Sequence, residues 1–166
     1  MPSPLQFNPS LQFPPRLLAE ALRELLDSPS DAVPGLPAGT LTVSRAWLPV
    51  YQLTSTEEIV VTVLSDEDNG ERLMRGARPG VVGETEIAFS IQQLVTADPL
   101  SFEGKQQIDA VHDFSERVLQ AAFAPITAAG GTWHPLTYRR SRVDDTLTNW
   151  NQVTVLFVIT YKAART

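Results

Sequence analysis

Between residues 16 and 27 the leucines fall at Leu18, Leu22, Leu25 and Leu26, with Arg16, Glu20, Arg23 and Glu24 between them. Spacings of four, seven and eight place the leucines on one stripe of a helix and the charges opposite. Pro15 suits the first turn, and Ser28-Pro29 ends the element. Residues 30–39 (SDAVPGLPAG) carry two prolines and two glycines and read as a loop. The period then changes to two. Leu41, Val43, Trp47, Tyr51 and Leu53 occupy odd positions and predict a strand over 40–53 with a bulge or an edge at Pro49.

Residues 58–64 (EIVVTVL) are apolar on both faces, as a strand covered on two sides must be, whereas in 85–95 Ile87, Phe89 and Ile91 alternate with Glu86, Ser90 and Gln92. The strongest helical pattern is 103–123, with Val111, Phe114, Val118 and Ala122 on a stripe widened by Ile108, Leu119 and Phe123. Pro125 and Gly130-Gly131 stop it. Two more strands are expected at 132–140 and 151–162, the latter apolar on both faces.

Strands that arrive in runs instead of alternating with helices mark an α+β fold: one mostly antiparallel sheet, a long helix on one face through Val111, Phe114 and Val118, and a short N-terminal helix. Residues 16–166 are expected to form a single domain. Residues 1–15 form a proline-rich arm, in which Pro4, Pro9, Pro14 and Pro15 interrupt Leu5, Phe7, Leu11 and Phe13. The Leu-Gln-Phe repeat makes Phe7 and Phe13 candidates for contact with the chain's own domain or a neighbour's. Ser65 to Glu84 is far longer than a hairpin needs. Its first half is acidic (Asp66, Glu67, Asp68, Glu71), its second half carries Arg72, Arg75 and Arg78, and four glycines lie between 70 and 83. The expectation is a loop that orders on assembly.

Composition narrows the function classes. The chain has 166 residues, 43% of them apolar and 19% charged, enough for one sizeable core. A net charge of −6 argues against a whole-surface nucleic-acid binder. The absence of cysteine removes disulfides, thiolate nucleophiles and zinc-cysteine sites. No apolar run approaches bilayer length, and the first residues lack a cationic start and an apolar signal-type core, so the expectation is a mature chain beginning near Met1 and working inside a cell or a particle assembled there.

Catalytic patterns fail one by one. His112 has Asp109 and Glu116 at helical spacing, a conceivable metal set, but such charges are also what any solvated helix face carries. His134 lacks a local carboxylate or serine partner. No G-x-S-x-G, Walker or dinucleotide glycine motif occurs, and in the acidic run at Ser65–Gly70 a calcium loop would need a glutamate where Gly76 stands. An enzyme would need His112, His134, Asp109 and Asp113 to converge. What remains is two arginine groups, Arg72, Arg75 and Arg78 in the loop and Arg139, Arg140 and Arg142 before Asp144-Asp145. They suit either local pairing or a surface that meets carboxylates or a nucleic-acid backbone.

The succession of a short leading helix, V-S-R-A-W-L-P-V-Y-Q-L (Val43 to Leu53), I-V-V-T-V-L, a long loop, E-I-A-F-S-I-Q (Glu86 to Gln92), a long helix and a closing F-V-I-T-Y-K (Phe157 to Lys162) resembles the tail-terminator and head-tail joining (neck) proteins of tailed bacteriophages. The resemblance implies a structural virion protein without catalysis, cofactor or metal. Such a subunit assembles in the host cytoplasm, commonly as a hexameric ring on the end of the tail tube, and joins it to the head. Its partners would be copies of itself, tube and neck proteins, and DNA passing through the lumen; no membrane is involved. Asp66, Glu67, Asp68, the two arginine groups, Phe7 and Phe13 become candidates for subunit interfaces or the lumen. The alternative class is a small-molecule-binding or regulatory α+β module, with an enzyme behind both.

Overall fold

Among the described residues six strands form one sheet in the order β1-β2-β3-β6-β5-β4. The computed structural model describes residues 14–27, 41–50, 52–64, 84–128 and 131–163. In chain order these hold α1 (Pro14–Asp27), β1 (Leu41–Ala46), β2 (Ile59–Leu64), β3 (Glu84–Leu94), α2 (Phe102–Ala122), β4 (Ile126–Ala128), β5 (Gly131–Arg142), α3 (Asp144–Trp150) and β6 (Gln152–Ala163). Every neighbouring pair is antiparallel except β1 and β2, which run parallel. The fold is therefore α+β with a mostly antiparallel, curled sheet, as the run of strands predicts.

β6 lies in the middle of the sheet, and of the two faces expected to be apolar only one is so throughout, the other carrying Gln152, Thr154, Thr160 and Lys162. Its register with β3 sets Ile87 across from Ile159, Phe89 from Phe157 and Ile91 from Val155, while Val61 and Val63 of β2 oppose Ile91 and Phe89. Because side chains alternate along a strand, these residues share one face. All are buried in a single cluster with Leu18, Leu22 and Leu26 of α1 and Val111, Val118 and Leu119 of α2. The rings of Phe89 and Phe157 stack with centroids 5.3 Å apart. The Tyr161 hydroxyl donates to the carbonyl oxygen of Ala122 at 2.6 Å, which ties β6 to the last turn of α2, and burial pushes its ionisation up.

At its start α2 is capped by Ser101, whose hydroxyl accepts from the Gly104 N–H at 3.0 Å and donates to the Asp98 carbonyl at 2.6 Å. The turn packs so closely that a Cβ on Gly104 would lie 2.0 Å from the Asp98 oxygen; only glycine fits.

Three elements depart from the sequence expectations. The strand expected over 40–53 ends at Ala46, and the chain then crosses the sheet. Ile126–Ala128 adds the short β4, and Asp144–Trp150 coils into α3, with Asp144 and Asp145 in a first turn where the helix dipole favours acids. Asn151, at φ 50°, ends α3 in the left-handed conformation that asparagine tolerates, and the chain enters β6 directly.

Val118 is fully buried, so Val118→Asp places an unpaired carboxylate in the core and should lower stability by several kcal/mol. Thermal unfolding of the purified variant measures this; an unchanged melting temperature would contradict the packing described.

Candidate functional site

A parallel pair of neighbouring strands cannot be joined by a hairpin, so the segment from Trp47 to Glu58 must carry the chain back to the start of β2. It does so as an irregular strap over the sheet face opposite the helices. Pro49 has no N–H to give to a ladder, which agrees with β1 stopping before it.

The strap is held by two buried glutamines. Gln92 of β3 accepts the Val50 N–H on Oε1 at 2.9 Å and donates Nε2 to the Val50 carbonyl at 2.7 Å, so its side-chain amide does what a neighbouring strand would do. Gln152 of β6 accepts the Leu53 N–H at 2.9 Å and donates to the Val50 carbonyl at 3.1 Å. Thr154 and Thr146 extend the layer: the Thr146 hydroxyl lies 3.0 Å from that of Thr154 and 2.9 Å from the Gln152 carbonyl, which draws α3 onto the same face. Beside these bonds, Thr62 and Ser90 oppose each other across β2 and β3, fully buried, and neither hydroxyl has a partner among the described residues. Above the layer the strap exposes Trp47 (62%), Leu48 (69%) and Val50 (38%).

The structure separates the second arginine group. Register parity sends Arg139 to the strap face, 3.6 Å from Glu86, and Arg140 to the helix face, where it pairs with both Glu116 and His112 and stands 5.7 Å from the Phe157 ring centre. Arg142 meets Asp144 at 2.8 Å. Local pairing accounts for each of the three, although Arg139 and Arg142 remain well exposed.

His112 is half-buried. Burial and then the Arg140 charge hold its ionisation below the ordinary 6.5, with Lys105 and Arg142 acting the same way and Asp109 against them. The metal set imagined around it does not assemble: Glu116 is taken by Arg140 and Asp109 by Lys105. His134 stands exposed near the start of β5, across from Lys162, while His112 meets the end of that strand; Asp113 is exposed on α2. Among the described residues no group of three or more histidine, aspartate or glutamate side chains could hold a metal ion, and no helix is long and apolar enough to cross a membrane. Phe7, Phe13, Asp66, Glu67, Asp68, Arg72, Arg75 and Arg78, with the arm and long loop that carry them, lie outside the described residues.

The glutamine clamp was missed from the sequence, because Gln92 falls with Glu86 and Ser90 on the polar side of its strand and Gln152 follows Asn151 at a strand start, so neither amide is marked there as buried. Comparison of the chain with models of protein families and with curated proteins finds no match.

Two predictions follow from this geometry. Gln92→Ala leaves the Val50 N–H without its partner and should lower unfolding stability by about 1–3 kcal/mol, whereas Ser90→Ala removes a hydroxyl that bonds to none of the described residues and should be near neutral or stabilising. Denaturant titration of the two variants side by side checks the contrast. For His112, the unfolded chain takes up a proton near pH 6.5 and the folded chain only at lower pH, so in that interval the unfolded state binds more protons. Stability should therefore be fully present above pH 6.5 and decline as pH falls towards the folded value. His112→Gln should flatten that slope in melts between pH 5 and 8.

Proposed function

We propose that the chain is a structural virion protein of a tailed bacteriophage, a tail terminator or head-tail connector whose copies form a ring at the end of the tail tube and join it to the head. The observation that carries the reading is the strap. The R-A-W-L-P-V-Y segment, which with the closing I-T-Y-K carries most of the family resemblance, leaves the sheet at Ala46 and displays Trp47, Leu48 and Val50 while its main chain is clamped beneath. Exposed aromatic and aliphatic side chains on a fixed backbone are what a subunit needs to recognise a neighbour at small entropic cost.

Other features agree with this role. Both long helices stack on one face, so the two faces of the sheet differ in chemistry, as those of a ring subunit with distinct inner and outer surfaces do. His112 is occupied by Arg140, and the proposal assigns it no chemistry. Leu100 and Phe102, at 95% and 79% exposure, add a second apolar prominence at the start of α2, available to the tube or to a neck protein.

Light-scattering mass at several protein concentrations, with electron microscopy of the phage's own tail tubes assembled with and without the chain, tests the proposal. The expected result is mass that rises with concentration to a discrete oligomer and tubes that end in a cap able to accept heads. A chain that stays monomeric throughout and leaves tube ends unaltered overturns it.

A further inference from the structure

The two margins of the sheet differ from each other in a complementary way. β4 covers β5 only at Gly131–Trp133, and from Leu136 to Arg142 the outer edge of β5 pairs with no strand among the described residues; the outer edge of β1 likewise pairs with none. We propose that these edges pair with each other between copies, β5 of one copy taking β1 of the next as an antiparallel neighbour, so that the sheet runs on from subunit to subunit. The proposal rests on the ring reading above and names its interface.

Strand direction is the first argument. β1 is parallel to β2, β2 antiparallel to β3, β3 to β6 and β6 to β5, so β1 and β5 run in opposite senses. A second copy set beside the first in the same orientation therefore presents its β1 antiparallel to β5, and every helix stays on the same side. Head-to-tail contact of this kind closes into rings when the rotation fits. Pairing β5 with itself about a two-fold axis near its arginine end would instead gather the Arg139, Arg140 and Arg142 side chains of two copies around that axis, where like charges repel.

Side-chain matching is the second argument. On β5 the apolar exposure lies toward the start, at Leu136 and Tyr138, each 48% exposed, and the arginines lie toward the end. On β1 the order is reversed along the chain: Glu58 meets Thr42 near the strand's start, and Trp47 and Leu48 follow its end. Antiparallel pairing brings Trp47 and Leu48 to the Leu136 end of β5 and Arg139 toward the Thr42–Glu58 end, while Tyr138 keeps to the helix face beside Phe123 and Phe157; parallel pairing would lose both matches. Short length on β1, and Pro135, a bulge and three arginines on β5, are the devices that blunt an edge against indiscriminate partners. They leave an edge selective for a short strand flanked by an acid, as Glu58 flanks β1 at Thr42.

The absence of cysteine makes the test clean. Ser44 of β1 and Thr137, Arg139 and Ser141 of β5 all lie on the strap face by register. Ser44→Cys is combined in the full chain with Thr137→Cys, Arg139→Cys or Ser141→Cys, which spans the registers that keep faces matched. Variants that retain the parent's circular dichroism and melting temperature are oxidised at concentrations where the parent associates. One of the three should give a covalent ladder through trimer and beyond that collapses on reduction, while single-cysteine variants stop at dimer. In addition, Arg139→Glu should raise the concentration for half-association about tenfold, and Glu58→Arg in the same chain should restore it. Variants that associate like the parent yet give no ladder overturn the edge pairing and leave the ring reading standing. A parent chain that is monomeric at every concentration, with or without tail tubes, overturns both.

Discussion

The parallel pairing of β1 with β2 governs the rest of the molecule. Antiparallel neighbours can be joined at their ends, but a parallel pair obliges the chain to travel back the length of a strand, and here it does so without a helix. An irregular connection lying on a sheet has backbone N–H and carbonyl groups that water no longer reaches, and each left unpaired would cost about 1–3 kcal/mol. Gln92 and Gln152 meet that need from below. Their own burial would be unfavourable without the strap, so strap and glutamines stabilise one another or neither stands.

The sheet thus holds two unlike interiors. On the helix side, Phe89, Phe157, Ile91 and Val155 pack against α1 and α2, and stability comes from area withdrawn from water. On the strap side the buried layer is Gln92, Gln152 and Thr154, directional and exact in its distances. The first kind of packing tolerates exchange among side chains of similar volume. The second depends on specific donors and acceptors, and so sets where the strap lies.

Periodicity revealed what long-range contact did not have to decide. The leucine stripe of α1, the Val111–Val118 stripe of α2 and the alternation through Ile87, Phe89 and Ile91 were legible because each is repeated along its own element. The strand expected to continue past Ala46 failed because Trp47, Tyr51 and Leu53 keep a period of two in a segment whose partners lie some forty to a hundred residues away, at Gln92 and Gln152. α3 was missed because its seven residues are too few to show a helical period, and its acids looked like partners for the preceding arginines, which Asp144 also is. The arginine group itself was legible as residues but not as a site. Adjacent positions on a strand face opposite sides, so Arg139 and Arg140 were never going to share a surface.

The clamp grips Val50 by its main-chain N–H and carbonyl, and Leu53 by its N–H; none of these bonds depends on which side chain the residue carries. Trp47, Leu48 and Val50 can therefore be exchanged without disturbing what holds them down. Were the surface that meets this strap to change, the displayed side chains could be exchanged while the main-chain bonds to Gln92 and Gln152 stayed as they are, so that a variable contact and a fixed support would lie in adjacent layers of the same fold.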